Sequence, residues 1–169
     1  MKELVLGGAR SGKSGYAQQR AIESGLPVIY IATATVGDSE MQARIERHQA
    51  QRPAHWRLIE EPLALADTLK QHAAEGQCLL VDCLTLWLSN LLGQADERLL
   101  QHETNKLFDT LTSLPGEIFF VSNETGLGII PMGELTRRYC DEAGLLHQRL
   151  AQRCERVTFM VAGLPQRIK

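Results

Sequence analysis

The 169-residue chain lacks any apolar run approaching the ~20 residues needed to cross a bilayer, and no basic stretch followed by an apolar one stands near its first residues. No membrane span and no secretory signal are expected, and the cytoplasm is the expected location. An excess of either charge is missing too: 18 Lys and Arg against 20 Asp and Glu leave a formal net charge of −2. No global basic field therefore advertises nucleic acid or an anionic membrane as a partner. Cysteine is sparse. Cys78, Cys83, Cys140 and Cys154 are scattered at spacings that suit zinc poorly, so four reduced, mostly buried thiols are expected. Repeats, low-complexity tracts and long linkers are absent, and the length suits one domain over residues 1–169.

What is present is an alternation of short apolar runs with helical patterns, which implies parallel strands joined by crossover helices. Strands are expected at Leu4–Leu6, Val28–Ala32, Trp56–Ile59, Cys78–Val81, Ile118–Ser122 and Val157–Val161. A helix over Lys13–Ser24 can end at Gly25. A second begins at Ser39, where Gln42 completes a capping box, and stops near Arg52 because Pro53 follows. Pro62 opens a third, with Leu65, Leu69 and Ala73 on one face, and Gly76 closes it. Leu84–Leu92 is apolar almost all round and reads as a buried helix. Glu97–Leu114 carries a helical apolar stripe, and Leu135, Tyr139, Leu146 and Leu150 line a last, long helix. His147 falls near that stripe and reads as a packed core residue.

The strongest local signal is Gly7–Ser14, GGARSGKS, between the first strand and the first helix. Gly7, Gly12, Lys13 and Ser14 meet the pattern G-x-x-x-x-G-K-S. The glycines permit backbone angles closed to other residues, so the loop of Gly7, Gly8, Ala9, Arg10, Ser11 and Gly12 can wrap an anion. Its amides and the helix N-terminus then point at phosphates. Lys13 reaches the β- and γ-phosphates, and the Ser14 hydroxyl ligates Mg²⁺. Asp82 ends an apolar strand at the same sheet edge. It can hold Mg²⁺ through water or cap the helix that follows.

Arg44, Arg47, His48, Arg52, His55 and Arg57 crowd one stretch. On the expected helix Arg44 and His48 share a face. A neutral imidazole beside arginines can attack phosphorus and form a phosphoramidate. Spacing alone favours the plainer reading, a solvated basic face. His55, His72 and His102 receive that plainer reading as well.

Five segments together give a resemblance that covers Leu4 to Lys169. They are Gly7–Ser14 with the following strand, EMQARIERHQAQRPAHW over Glu40–Trp56, LLVDCLTLWLSNLL over Leu79–Leu92, SNETGLGIIP over Ser122–Pro131, and DEAGLLHQRLA over Asp141–Ala151. The chain resembles the bifunctional adenosylcobinamide kinase / adenosylcobinamide-phosphate guanylyltransferases. The R-H-x-x-x-R-P and N-E-x-G-x-G-x-x-P segments carry most of the specificity. The resemblance implies a three-layer α/β P-loop NTPase fold of RecA-like type, with a mainly parallel sheet and helices on both faces, assembled as a homotrimer.

By the same resemblance Gly7–Ser14 form the nucleotide loop and His48 carries GMP covalently. Arg52 and Pro53 match the flanking motif, Asp82 the acidic strand end, and Asn123, Glu124, Gly126, Gly128 and Pro131 a loop near the site. ATP or GTP then phosphorylates adenosylcobinamide, and GMP passes from GTP through His48 to the corrinoid phosphate, giving adenosylcobinamide-GDP and pyrophosphate. Two positions depart from the family pattern: His147 stands where Asn is usual, and Ala162 where Ser is common. Two other classes compete. A simple small-molecule kinase would form ADP without a covalent guanylate. A nucleotide switch acting on a protein would be expected to carry N-K-x-D, which Asn123-Glu124 does not supply.

Overall fold

The computed structural model describes residues 1–35 and 52–169. Among the described residues seven strands form one sheet: β1 (Lys2–Gly7), β2 (Val28–Ala32), β3 (Arg57–Glu60), β4 (Cys78–Asp82), β5 (Glu117–Asn123), β6 (Arg156–Val161) and β7 (Leu164–Arg167). Their order across the sheet is β3-β2-β4-β5-β1-β6-β7. All pairings from β3 to β6 are parallel, and β7 returns antiparallel to β6. The described helices are α1 (Lys13–Glu23), α2 (Leu65–His72), α3 (Leu84–Leu92), α4 (Glu97–Leu111) and α5 (Glu134–Arg153).

Side-chain alternation explains why helices cover both faces. Leu4, Leu6, Ile29, Ile31, Leu79, Val81, Ile118 and Phe120 point to one side, where α2, α3, α4 and α5 add Leu69, Trp87, Phe108, Leu146 and their neighbours. Val5, Val28, Tyr30, Leu80, Phe119 and Val121 point to the other, where α1 brings Ala17 and Ala21. Strands buried on both faces are apolar at nearly every position, so they read as near-continuous runs in the sequence. Because β1, β2, β4 and β5 run the same way, all four end on one edge. Gly7, Ala32, Asp82 and Asn123 therefore gather there.

Several boundaries differ from expectation. The helix opened by Pro62 begins only at Leu65, because the Glu61 carboxylate accepts the amides of Leu63 (2.9 Å) and Ala64 (2.7 Å) and holds a turn there first. Leu135 was expected on the buried stripe of the long helix, yet it is 65% exposed, in a first turn of α5 where residues 134–138 are all exposed and the helix's buried residues begin at Ala143. The β7 strand was not foreseen. It follows a two-residue turn, Ala162-Gly163, with φ of 51° and 81°, the left-handed pair that suits a tight hairpin. The helix expected from Ser39 lies outside the described residues. No helix among the described residues is long and apolar enough to cross a membrane.

One fully buried charge is structural. Glu3, on β1 and away from the site edge, accepts hydrogen bonds from Thr158 (2.7 Å) and Tyr16 (3.1 Å) and pairs with Arg156 (3.5 Å) and Arg20 (3.7 Å). Breaking a fully buried pair costs about 3–5 kcal/mol. Both arginines keep roughly a quarter of their side chains in solvent, which softens the loss through screening. Glu3→Ala is therefore expected to lower the unfolding free energy by about 2–3 kcal/mol in urea titration, with the Tyr16 and Thr158 hydroxyls left unpaired. A change under ~0.5 kcal/mol, the scale of ordinary surface substitutions, would contradict this account.

Candidate active site

The loop between β1 and α1 has the geometry of an anion cradle. Gly7 (φ 154°) and Gly12 (φ 94°) occupy backbone regions that disfavour a side chain, and Arg10 sits at φ 55° at the loop's outer turn. A Cβ on Gly7 would lie 2.6 Å from the Met160 carbonyl and 2.6 Å from Ser11 Oγ. The Ser11 amide donates to Gly8 O at 3.3 Å, and the Gly163 amide donates to Ser11 O at 3.0 Å, so the β6–β7 turn braces the loop from outside. On the other side the Glu124 amide donates to Gly7 O at 2.9 Å.

Lys13 opens α1 and is buried. Its Nζ donates to Gly8 O at 2.6 Å, which folds the ammonium back over the loop. Burial pulls the Lys13 pKa below its ordinary value, while negative charge at Cys83 and Asp82 would push it up. Burial drives the Cys83 thiol up to about 11, so it is neutral at pH 7 and adds no such charge. A neutral carbonyl is a weak partner for a desolvated ammonium, and a phosphate oxygen is a stronger one. Ser11 Oγ is buried in the same loop with no hydrogen-bond partner among the described residues. Both groups suit an incoming triphosphate.

Asp82 ends β4, two strands from Gly7. The Tyr30 hydroxyl donates to Asp82 Oδ2 at 3.0 Å, and the Arg52 guanidinium lies over the Tyr30 ring, 5.1 Å from its centroid. Burial, and then Asp82, raises the Tyr30 pKa, so its hydroxyl stays a donor. Thr33, fully buried beyond the end of β2, donates to Cys83 O at 2.6 Å and accepts from the Cys83 amide at 3.0 Å. Asn90 on α3 donates to Thr33 O at 2.8 Å and Pro62 O at 3.1 Å. These bonds fix the β2 and β4 ends around Asp82. The carboxylate keeps Oδ1 unengaged among the described residues, and Ser14 stands one residue after Lys13. One carboxylate and one hydroxyl beside a phosphate loop fit Mg²⁺, which takes few protein ligands and completes its shell with phosphate and water.

The structure thus brings Gly7–Ser14, Arg52 and Asp82 to one edge. His48, with Arg44 and Arg47, lies outside the described residues. Three contributors escaped sequence reasoning: Tyr30, Thr33 and Asn90. Each is a polar group in an otherwise apolar segment, and that is the signal they offered. The four cysteines are free thiols, and burial pushes Cys78 and Cys154 each up to about 12.

A parallel sheet with β5 inserted between β1 and β4, and a Gly-rich loop ending in Lys-Ser at its edge, define a P-loop nucleotide-binding enzyme of RecA-like architecture. Solved structures agree at the level of fold. The RadB recombinase superposes with TM-score 0.52 at 16% identity, covering 94% of this chain and 73% of that one. An ATPase of a bacterial type III secretion system superposes with TM-score 0.56 at 11% identity, covering 98% of this chain and 56% of that one. The sequence goes further: residues 3–168 match the family described as cobinamide kinase / cobinamide phosphate guanyltransferase, and the chain belongs to that family. It is 63% identical over 169 residues to the bifunctional adenosylcobalamin biosynthesis protein CobP of Pseudomonas aeruginosa, covering 100% of this chain and 98% of that protein. It is 37% identical over 182 residues to the protein of that description named CobU in Salmonella typhimurium, covering 100% of both.

Proposed function

We propose that this chain carries out both half-reactions of its family on one phosphate-binding edge. In the first, the terminal phosphoryl group of ATP or GTP passes to the aminopropanol hydroxyl of adenosylcobinamide. In the second, His48 attacks the α-phosphorus of GTP, pyrophosphate leaves, and the corrinoid phosphate takes GMP from His48. The observation that carries the reading is the buried Lys13 ammonium, which among the described residues donates to one carbonyl, Gly8 O, of the Gly-rich loop. Such a group stabilises charge that grows on phosphoryl oxygens during transfer. Ser14 and Asp82 are the residues that would hold Mg²⁺, which supplies further neutralisation of that charge. Arg52, stacked on Tyr30 beside Asp82, would pair with nucleotide phosphates in this reading. The cytoplasm, where both nucleotides are abundant, is the compartment we assign.

A homotrimer is part of the proposal. The loop after β5 exposes Leu127, Ile129 (97%), Ile130 and Met132 (96%), a run of apolar surface that a subunit contact would cover. Light scattering should then give about three times the 18.8 kDa chain mass.

Incubation with GTP labelled at the α-phosphate is expected to leave an acid-labile, base-stable label on the protein, as a phosphoramidate requires. His48→Ala should reduce that label to background while leaving the kinase half-reaction within a few fold. Label retained in His48→Ala would remove His48 from the mechanism, and no label on the wild-type protein would leave only the kinase.

A further inference from the structure

Phosphoryl transfer to an alcohol also requires a destination for the hydroxyl proton. Among the described residues, four carboxylates stand at or just beyond the site edge of the sheet: Glu60, Glu61, Asp82 and Glu124. Glu61 holds the turn before α2. Asp82 is bonded to Tyr30 and matched to the cation. Glu60 lies on the edge strand β3, four strands from the phosphate loop, about 19 Å at sheet spacing. Glu124 is different. It directly follows β5, and its own amide is bonded to the first carbonyl of the loop.

The Glu124 side chain is held from two directions. Oε1 accepts the Gly126 amide at 2.5 Å, and Oε2 faces His147 Nδ1 at 3.8 Å. His147 Nε2 lies 2.8 Å from Ser122 Oγ. A carboxylate can only accept, so the favourable tautomer carries its hydrogen on Nδ1 and accepts the Ser122 hydroxyl at Nε2. Burial lowers the His147 pKa against the opposing pull of Glu124, consistent with a neutral ring. At 3.8 Å the ring steers Oε2 without engaging its lone pairs.

A serine, a histidine and a glutamate in a row suggest a hydrolase relay, but here the order of exposure is reversed. Ser122 is 2% exposed inside the strand, and the glutamate is the end that reaches solvent, with 21% of its side chain accessible. A nucleophile must reach its substrate, so Ser122 is an anchor and Glu124 is the working end.

We propose that Glu124 is the proton acceptor of the kinase step and that His147 is its positioning residue. The inference rests on the kinase reading given above. The alcohol oxygen bonds to the γ-phosphorus, the bond from that phosphorus to the β–γ bridging oxygen breaks with its electron pair leaving on the nucleoside diphosphate, and the hydroxyl proton passes to the Glu124 carboxylate.

The test uses the full chain and reads two activities side by side: corrinoid phosphorylation, and labelling of the protein by α-labelled GTP without corrinoid. Glu124→Gln keeps the shape and removes the acceptor. It should lower kcat for phosphorylation by about 10²–10³, with nucleotide affinity and protein labelling within twofold. Glu124→Asp, shorter by one methylene, should retain part of kcat. His147→Ala should lower kcat about tenfold at unchanged nucleotide KM, and His147→Asn, which restores a donor, should recover most of it. In the Glu124→Gln background, His147→Ala should cause no further loss, because the two act through one group. A purely structural His147 would lower both activities together and would add to Glu124→Gln. Wild-type kcat in Glu124→Gln, or a loss shared equally by both activities, overturns the assignment. Absence of corrinoid phosphorylation in the wild-type protein would instead overturn the kinase reading itself.

Discussion

Lys13→Met is expected to slow phosphoryl transfer by about 10²–10³ while leaving the protein as stable as the wild type, or more so. The rate loss follows from removing one pre-placed charge from a water-poor site, where such groups contribute about 3–4 kcal/mol to the barrier. The stability gain has a separate cause. Burial pulls the Lys13 pKa down, so the folded state disfavours the charged form relative to the unfolded chain. A lysine whose folded pKa is depressed weakens the fold at every pH below its unfolded pKa, neutral pH included. Methionine fills similar space without that penalty. Steady-state release of nucleoside diphosphate, read beside thermal melting, separates the two effects. A rate loss below tenfold would show that the ammonium does not act on the transferring group. A large fall in melting temperature would show that its bond to Gly8 O is a structural need.

Gly7→Ala should destabilise the fold by roughly 2–4 kcal/mol and weaken nucleotide binding at least tenfold. The added carbon would meet the Met160 carbonyl and Ser11 Oγ, each 2.6 Å away, at a backbone angle of +154°. Strain of that kind costs on the order of 1–3 kcal/mol and overpacking a similar amount. The loop would have to move away from β6, and its amides would lose their common focus. Gly8→Ala is the internal control. A Cβ there meets nothing within 4 Å, and its φ is not in the left-handed region, so stability should hold within ~0.5 kcal/mol. Urea unfolding and nucleotide titration of both variants check the contrast. Equal behaviour at the two positions would refute it.

The sequence carried the strands well, because a strand buried on both faces leaves a plain apolar run. It carried the phosphate loop well too, because that loop is contiguous and its chemistry dictates its residues. Strand order was not legible in the residues themselves. That β5 slots between β1 and β4 depends on crossovers no local pattern encodes, and this placement is what brings Glu124 to Gly7. The β7 strand was missed because Leu164–Arg167 is exposed at all four positions and contains a proline, although Ala162-Gly163 between Val161 and Leu164 offered a hairpin signal. His147 was read as core and is buried, but its partner Ser122 lies 25 residues away in the chain. Contacts at that separation are set by tertiary packing. Glu3 was hidden for the same reason, with its counter-ions on α1 and β6.

The two braces on the phosphate loop have a thermodynamic consequence. Gly163 N clamps its middle and Glu124 N its start, so the loop's backbone path is set by the protein's own hydrogen bonds. A triphosphate meeting such a loop need not freeze a floppy segment, and little of its affinity is spent on ordering. More of the interaction is left for the moment of bond exchange. A substitution in the adjoining hairpin that loosens Gly163 would thus act as an entropic fault, weakening capture of every nucleotide alike without removing a single group that touches one.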